Sequence, residues 1–455
     1  MAQFIERPAN LTARYGGDDT ELVDQVFRNA EREIAKLDEQ TSFYKPFILD
    51  TRDYILENID DGVYLKHDSL SLLVNELAAE ILGANQLQLE DPIFLIKSSA
   101  FSNARSMMIN VFEIDVALFA ILDSTDELAF VIAHELAHQL KYHVAERIVL
   151  NMEYDPEGKL RSEMQRVVKG VTSNERLSEA QKAMYEYREG MRKMELKADS
   201  LALIYIRKAG YDPAEGMQSL TKLGYSACTS DAAIERLFLR LFTSRFKPKP
   251  QWFVKSLPIQ SKQQSQFLIY KTDSLESHPH LEARIKAMEL TVQDSVITNS
   301  ELTVNDVWRE VIWSGYEQRQ FDLTLFYILI YIDQKGHDSF SGTMIGLLLY
   351  DLYWARFDDN PENNIYQYVN YRTPGYTEEL RFVNNVLHHM TKEDYLMTGF
   401  MLMSNREVFD RTNEEHYYLL YHFASLLQEN AIADQLKTMY FKQFEEAKYK
   451  TRDFK

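Results

Sequence analysis

The sequence is poor in cysteine, glycine and proline, and each deficit excludes something. Among its 455 residues there is one cysteine, Cys228, so the chain cannot form an internal disulfide or a cysteine-based zinc site. With 16 glycines and 11 prolines, turn signals are sparse, and we expect long helices. Basic residues are also too few to balance the acidic ones. The formal net charge of −19 disfavours binding to phosphate backbones and to anionic lipid, so we expect no nucleic acid partner.

Long hydrophobic runs are lacking as well. No apolar run reaches the roughly 18–20 residues that cross a bilayer, and the longest candidate, Leu323 to Ile332, is followed directly by Asp333. The amino terminus shows no signal peptide. We therefore expect a soluble protein without a transmembrane segment. It would be periplasmic or in another cell-envelope compartment if the chain is a mature exported form, and cytoplasmic otherwise.

Hydrophobic periodicity predicts an α+β fold that is mostly α-helical, with a small β-sheet. The predicted elements are, in chain order, a helix over 19–40, a helix over 69–83, a strand over 93–97, one or two strands within 107–118, a helix that begins near 124–127, a charged helical excursion over 151–190, a helix over 191–209 and a mobile or covering segment over 241–276.

The last third of the chain has a different character. Helices rich in Tyr, Phe and Leu are predicted over 303–334, 340–357, 377–391 and 415–446. Their pairing suggests helical hairpins of the tetratricopeptide type, but no consensus of about 34 residues recurs. An irregular helical bundle and a tetratricopeptide-like repeat array both remain open.

The motif HELAHQLKYH, residues 134–143, holds three of the chain's 11 histidines. His134 and His138 are four residues apart, so on a helix both imidazoles lie on one face and reach one ion. With Glu135 they form an HExxH arrangement, which supplies two zinc ligands and a general base. A chance occurrence is disfavoured because apolar neighbours predict a buried helix, on which these polar groups need partners. His143 would lie about 140° further round the same helix, so we expect it to pack against or cap the helix end.

A second polar pair supplies the third ligand, since a catalytic zinc takes three protein ligands and keeps one open position. Glu195 and Asp199 are four residues apart in an otherwise apolar helical stretch. Glu195 would bind zinc, and Asp199 would accept a hydrogen bond from the ring N–H of His134. The alternative is a surface ion pair, such as Glu195 with Arg192, and the apolar surroundings disfavour it.

A third segment, SHPHLEARI over 277–285, contains His278 before a proline. Alone, His-Pro would mark no more than a helix start. Beside a zinc site, His278 could donate a hydrogen bond to the oxyanion of a tetrahedral intermediate.

In this order along the chain, HELAH, ELKAD and SHPHLEARI resemble the three motifs of the CAAX prenyl endopeptidase/HtpX-like family of zinc peptidases, the minigluzincins. The resemblance covers about residues 65 to 290. It implies a zincin-like fold, a Zn²⁺ cofactor and the following residue roles: zinc ligands His134, His138 and Glu195, general base Glu135, transition-state stabiliser His278, supporting residues Asp199 and Arg284, and a substrate-binding edge at Asn103 and Ala104. The family's Pro-Gly-Gly after Asn-Ala is missing here, where Arg105 to Met108 stand instead.

The resemblance also predicts the domain organisation. We expect an N-terminal helical segment over 1–64 packed on the peptidase, a zinc metallopeptidase domain over 65–295, and a helical domain over 296–455. This layout is similar to the soluble, tetratricopeptide-bearing periplasmic branch of the family.

The resulting functional hypothesis is a zinc-dependent endopeptidase that hydrolyses unfolded or misassembled proteins, with a protein partner docked on the C-terminal helices. One alternative is a latent or inactive zinc protein that acts as a chaperone or binding module, its site shut by residues 241–276 or by His280. Another is a zinc hydrolase of a non-peptide amide.

Overall fold

The computed structural model describes residues 7–8, 11–154, 174–223, 234–242, 247–254, 281–289, 302, 307–357, 365–369, 377–405 and 408–454. Over these residues the fold is α+β and mostly helical, with one small sheet, which confirms the predicted fold class. None of the helices in the described ranges is both long and apolar enough to cross a membrane.

The described helices are α1 (Thr20–Ala35), α2 (Lys45–Asp60), α3 (Asp68–Ala84), α4 (Leu118–Ile121), α5 (Thr125–Leu140), α6 (His143–Tyr154), α7 (Asn174–Ala209), α8 (Pro213–Leu223), α9 (Ile234–Arg240), α10 (Leu281–Glu289), α11 (Val307–Glu317), α12 (Phe321–Lys335), α13 (Ser339–Phe357), α14 (Ile365–Tyr368), α15 (Glu378–His389), α16 (Lys392–Met403), α17 (Glu414–Leu426) and α18 (Asn430–Gln443). The strands are β1 (Tyr64–Leu65), β2 (Ile93–Lys97), β3 (Ala104–Ser106) and β4 (Val111–Asp115).

The four strands form one mixed sheet in the order β1-β2-β4-β3. The central pair β2 and β4 is parallel, whereas β1 and β3 run antiparallel to their neighbours. On the edge strand β3, Asn103 O accepts from Asp115 N at 2.9 Å and Met107 N donates to Val111 O at 2.8 Å. Because alternate residues of an antiparallel strand bond to the partner, the backbone groups of Ala104 and Ser106 point away from the sheet.

Helix α5, which carries the HExxH residues, packs against β3, α3, α7 and α8. Its start is capped by Ser124, whose hydroxyl accepts from Glu127 N at 3.2 Å. It ends at Leu140, because Tyr142 adopts a left-handed φ of 57° that an α-helix cannot continue. The predicted continuous helix through His143 is therefore wrong, and His143 instead begins α6.

Helix α7 delivers the second polar pair. The predicted helix over 191–209 begins earlier, at Asn174, and ends before Gly210, whose φ is 94°. Part of the predicted charged excursion, residues 155–173, lies outside the described residues. Most of the predicted covering segment over 241–276 also lies outside them, and its described end contains a short 3-10 turn at Pro250–Phe253.

Other predicted helix bounds differ from the structure for local reasons. The first predicted helix ends at Ala35 because Asp38 Oδ1 accepts from the backbone N–H groups of Gln40 and Thr41, which fixes a turn. The spans 303–334 and 415–446 are each divided into two helices, at Arg319 (φ 56°) and Gln428 (φ 62°). Helices α2, α4, α8, α9, α14 and α16 were not predicted.

One hydrophobic core cluster runs from Leu65 in the sheet to Phe454 near the carboxyl end. A smaller cluster lies between α1, α2 and the other face of the sheet. Polar contacts join the same regions: Tyr327 OH donates to Ala100 O at 2.9 Å, and Arg7 bonds Glu310 at 2.7 Å. The helices after residue 307 therefore share a core with the sheet that positions the candidate site.

Candidate metal centre

Two imidazoles and one carboxylate meet where α5 crosses α7. His134 Nε2 and His138 Nε2 are 3.0 Å apart. Glu195 Oε2 lies 3.7 Å from the first nitrogen, and Glu195 Oε1 lies 3.6 Å from the second. These ligand atoms all fall within 4.8 Å of one another, and the three side chains are nearly buried. Such spacings suit one zinc ion, whose bonds to nitrogen and carboxylate oxygen are about 2.0–2.2 Å long.

The charge around these atoms also favours a cation. The carboxylates of Glu195 and Asp199 are buried and that of Glu135 is partly buried, and the guanidinium of Arg284 lies 2.6 Å from Asp199 and 3.9 Å from Glu195. When both imidazoles are neutral, as metal binding requires, these three carboxylates and this guanidinium together carry two negative charges, which a divalent ion would balance. An excess of buried charge is costly unless a counter-ion is present. The residues therefore fit zinc in number, kind and charge.

Asp199 and Arg284 hold His134 from behind. Asp199 Oδ1 lies 3.0 Å from His134 Nδ1, in a bent contact within ion-pair distance. Arg284 donates to both oxygens of Asp199, at 2.7 and 2.6 Å. Burial raises the pKa of Asp199, but the hydrogen bonds from Arg284 and His134 outweigh it and hold that pKa below its usual range. Burial lowers the pKa of His134, but contacts with Asp199 and Glu195 outweigh it and raise the pKa to about 10, so this position attracts positive charge.

His138 is held from behind by a different kind of group. His143 Nδ1 lies 3.1 Å from His138 Nδ1, and the two rings meet edge to face at 79°. His143 is 2% exposed. Burial lowers the pKa of His143 to about 4. The sequence indicated packing or capping for His143 and missed this contact, because a helix was expected to continue to it.

The predicted general base touches the edge strand. Ser106 N–H donates to Glu135 Oε2 at 2.7 Å. Burial raises the pKa of Glu135. Asn103 and Ala104 line the same cleft, whose volume is about 770 Å³. The cleft walls combine polar and apolar side chains and include four methionines, and the apolar lining includes Met107, Met108, Phe130, Val131, Val144, Met191, Met194, Leu220 and Leu223.

The predicted site residues are therefore brought together, with one exception that the structure does not describe. His278 lies outside the described residues, as does the candidate plug His280. A residue that sequence reasoning assigned no role is Arg105 on β3, which lines the cleft and bonds Glu113 Oε2 at 2.5 Å as well as Tyr54 OH. Its cross-strand position opposite Glu113 is a signal that only the register reveals.

Residues 74–292 match the family model described as Peptidase family M48. No curated protein sequence matches the chain. The matched stretch contains His134, His138, Glu195 and Arg284, and it ends before the helices that start at Val307.

Proposed function

We propose that this chain, whose residues 74–292 carry a metallopeptidase domain of Peptidase family M48, is a zinc-dependent endopeptidase that hydrolyses unfolded or misassembled proteins. Within that family we place it with the CAAX prenyl endopeptidase/HtpX-like enzymes, next to their soluble, tetratricopeptide-bearing branch. One observation carries the proposal: His134, His138 and Glu195 converge in a cleft whose wall includes the edge strand β3.

The chemistry divides between the ion and the protein. When bound to the two histidines and Glu195, zinc would polarise a water molecule and bring its pKa near neutrality. Glu135 takes the proton of that water and passes it to the nitrogen of the leaving amine. Burial favours this exchange because it raises the pKa of Glu135, while the Ser106 N–H bond orients the carboxylate. Supporting groups from outside the described residues include His278, proposed as a donor to the oxyanion.

Substrate binding follows from the edge strand. The N–H of Ser106 already donates to Glu135, so the outward-facing backbone groups of Ala104 and the C=O of Ser106 offer an extended polypeptide the pairing of an added strand. A folded protein does not present such a strand, so an unfolded segment is the expected substrate. The methionines on the cleft walls favour the same class, because their flexible side chains adapt to varied apolar residues.

The helices after residue 296 complete the proposal as a docking module for a protein partner. Their aromatic core is continuous with that of the peptidase region, which supports a fixed rather than a tethered arrangement. For the compartment, we propose the cell envelope if the chain is a mature exported form, and the cytoplasm otherwise.

The test compares Glu135→Gln with Glu146→Gln, an exposed acid on α6 near the same cleft. Glu135→Gln is expected to abolish cleavage of a loose substrate such as casein while retaining zinc, because it removes the base and no ligand. Glu146→Gln should cleave like the wild type. If the wild type is as inert as Glu135→Gln and both suppress aggregation of a client, the protein is a zinc-containing chaperone instead.

A further inference from the structure

The two histidines at the candidate metal site are held by unlike neighbours. The Nδ1 atom of His134 contacts the carboxylate of Asp199, and a carboxylate is a common partner for a metal-bound imidazole. The Nδ1 atom of His138 instead lies 3.1 Å from Nδ1 of another imidazole, that of His143. The proposed function leaves His143 without a role, although it is one of the most deeply buried polar residues of the cleft.

We propose that His143 is a positioning residue for the metal ligand His138. In the zinc-loaded protein it accepts a hydrogen bond from His138 Nδ1–H and so fixes the tautomer that leaves His138 Nε2 free for the ion. This inference rests on the zinc binding in the proposed function.

The inference depends on which ring nitrogen of each histidine carries the proton. His138 Nε2 faces Glu195 and His134, so a metal shared by these residues is bound through that nitrogen. A neutral imidazole that binds metal through Nε2 carries its proton on Nδ1. The Nδ1 of His138 must therefore donate, and the facing Nδ1 of His143 must accept. The proton of His143 then lies on its own Nε2.

The local fold makes this contact. On a helix that continued past Leu140, His143 would lie about 140° away from His138. The chain instead turns at Tyr142, whose side chain is 73% exposed and whose φ is 57°. Helix α6 then begins at His143 and lies back against α5 and α7. The break between α5 and α6 therefore places His143 against the ring of His138.

His143 is also a weaker partner than Asp199. An imidazole acceptor carries no negative charge, and among the described residues its Nε2 has no hydrogen-bond partner. We therefore expect it to orient His138 without adding the electrostatic support that Asp199 and Arg284 give to His134. Its loss should weaken zinc binding while leaving the three ligands in place.

The variants His143→Ala and His143→Asn test the inference through the zinc dissociation constant, measured by competition with a chelating dye. His143→Ala is expected to bind zinc about 10–100-fold more weakly, the usual effect of losing a ligand's hydrogen-bond partner. His143→Asn should recover most of the affinity, because its amide oxygen can accept near the place of Nδ1. Glu146→Ala, which changes an exposed residue of α6, should bind like the wild type.

A second readout needs no variant. In zinc-loaded wild type with ¹⁵N-labelled histidine, NMR should show His138 protonated at Nδ1 and His143 protonated at Nε2. Ligation of His138 through Nδ1 would overturn the inference. So would wild-type affinity in His143→Ala, or an Asn variant no better than Ala. A wild type that binds no zinc overturns the proposed function as well, whereas the other outcomes overturn this inference alone.

Discussion

The metal cleft and the C-terminal helices both bury acidic side chains, but they balance the charge in opposite ways. Among the C-terminal helices, Asp322 Oδ2 accepts from Asn384 Nδ2 at 2.8 Å. Asp394 accepts from Trp252 Nε1 at 3.0 Å and also pairs with Lys249. Each of these two acids accepts hydrogen bonds from donors that lie beside it in the fold. Each contact joins elements that are far apart in sequence.

In the cleft, three acids crowd together. Glu135, Glu195 and Asp199 lie around the two histidines, and the guanidinium of Arg284 lies 2.6 Å from Asp199 but 3.9 Å from Glu195. The two regions therefore use buried charge differently, one to stabilise the fold and the other to form a candidate metal site. A buried acid with its own donors stabilises the fold, whereas buried acids that cluster around two imidazoles form a candidate site for a metal.

Glu195→Ala should give the largest effect, because it removes one of the acids that distinguish the cleft from the C-terminal helices. Zinc binding should fall by more than the about 100-fold expected for loss of a supporting residue, because a ligand itself is removed. The metal-free protein should unfold at the same or a higher temperature, since one of three crowded carboxylates is gone. Elemental mass spectrometry and thermal unfolding with chelator measure the two. Stoichiometric zinc in the variant would contradict Glu195 as a ligand.

Asp199→Ala should weaken zinc binding by about 10–100-fold, because His134 loses the partner that fixes its ring. A chelator titration followed by zinc release measures it. Arg284→Gln serves as the control, since it keeps the carboxylate against His134 and should lose less affinity. Equal zinc retention in Asp199→Ala and wild type would remove Asp199 from its assigned role.

Asp394→Ala should show the opposite behaviour and sharpen the comparison. The free energy of unfolding should fall by about 2 kcal/mol, because Trp252 Nε1 and the start of α16 lose an acceptor. Zinc content should not change. Urea unfolding monitored by circular dichroism gives the stability, and the exposed neighbour variant Glu393→Ala should match wild type. Zinc loss in Asp394→Ala would show that the two regions are not independent.

Gln428→Gly should give the smallest effect, again confined to the helical region. Gln428 is exposed and holds a left-handed φ of 62° between α17 and α18. Glycine adopts this conformation without strain, so stability should rise by about 0.5 kcal/mol in the same urea assay, with zinc unchanged. Glu429→Gly, at a residue with a φ of −81°, should give no gain. A loss of stability in Gln428→Gly would mean that its side chain matters more than its backbone.

The sequence was informative where a helix fixes the spacing. His134 and His138, like Glu195 and Asp199, are each one turn apart, and a turn of helix is local enough to read from residue order. The matched peptidase region and the mostly helical fold with a small sheet agree with the predictions. The order of residues did not predict the direction that the chain takes after a helix ends.

Three of the missed helix ends share a physical cause. Tyr142, Arg319 and Gln428 all take the left-handed conformation that helix-ending rules assign to glycine. In a chain with so few glycines, these larger residues end helices at positions that no glycine marks in the sequence. The converse holds at Gly399, inside α16, where a Cβ would collide with the ring of Phe423. Glycine there permits close helix packing and does not end the helix.

The candidate metal site is assembled from distant parts of the chain, and this affects when it can form. Asp199 and Arg284 are 85 positions apart in sequence, and Glu195 comes long after the HExxH helix. During synthesis, an emerging chain that has exposed only α5 offers a metal two imidazoles and no completed pocket. The need for contacts between distant segments thus delays assembly of the candidate metal centre until the region that contains it has folded.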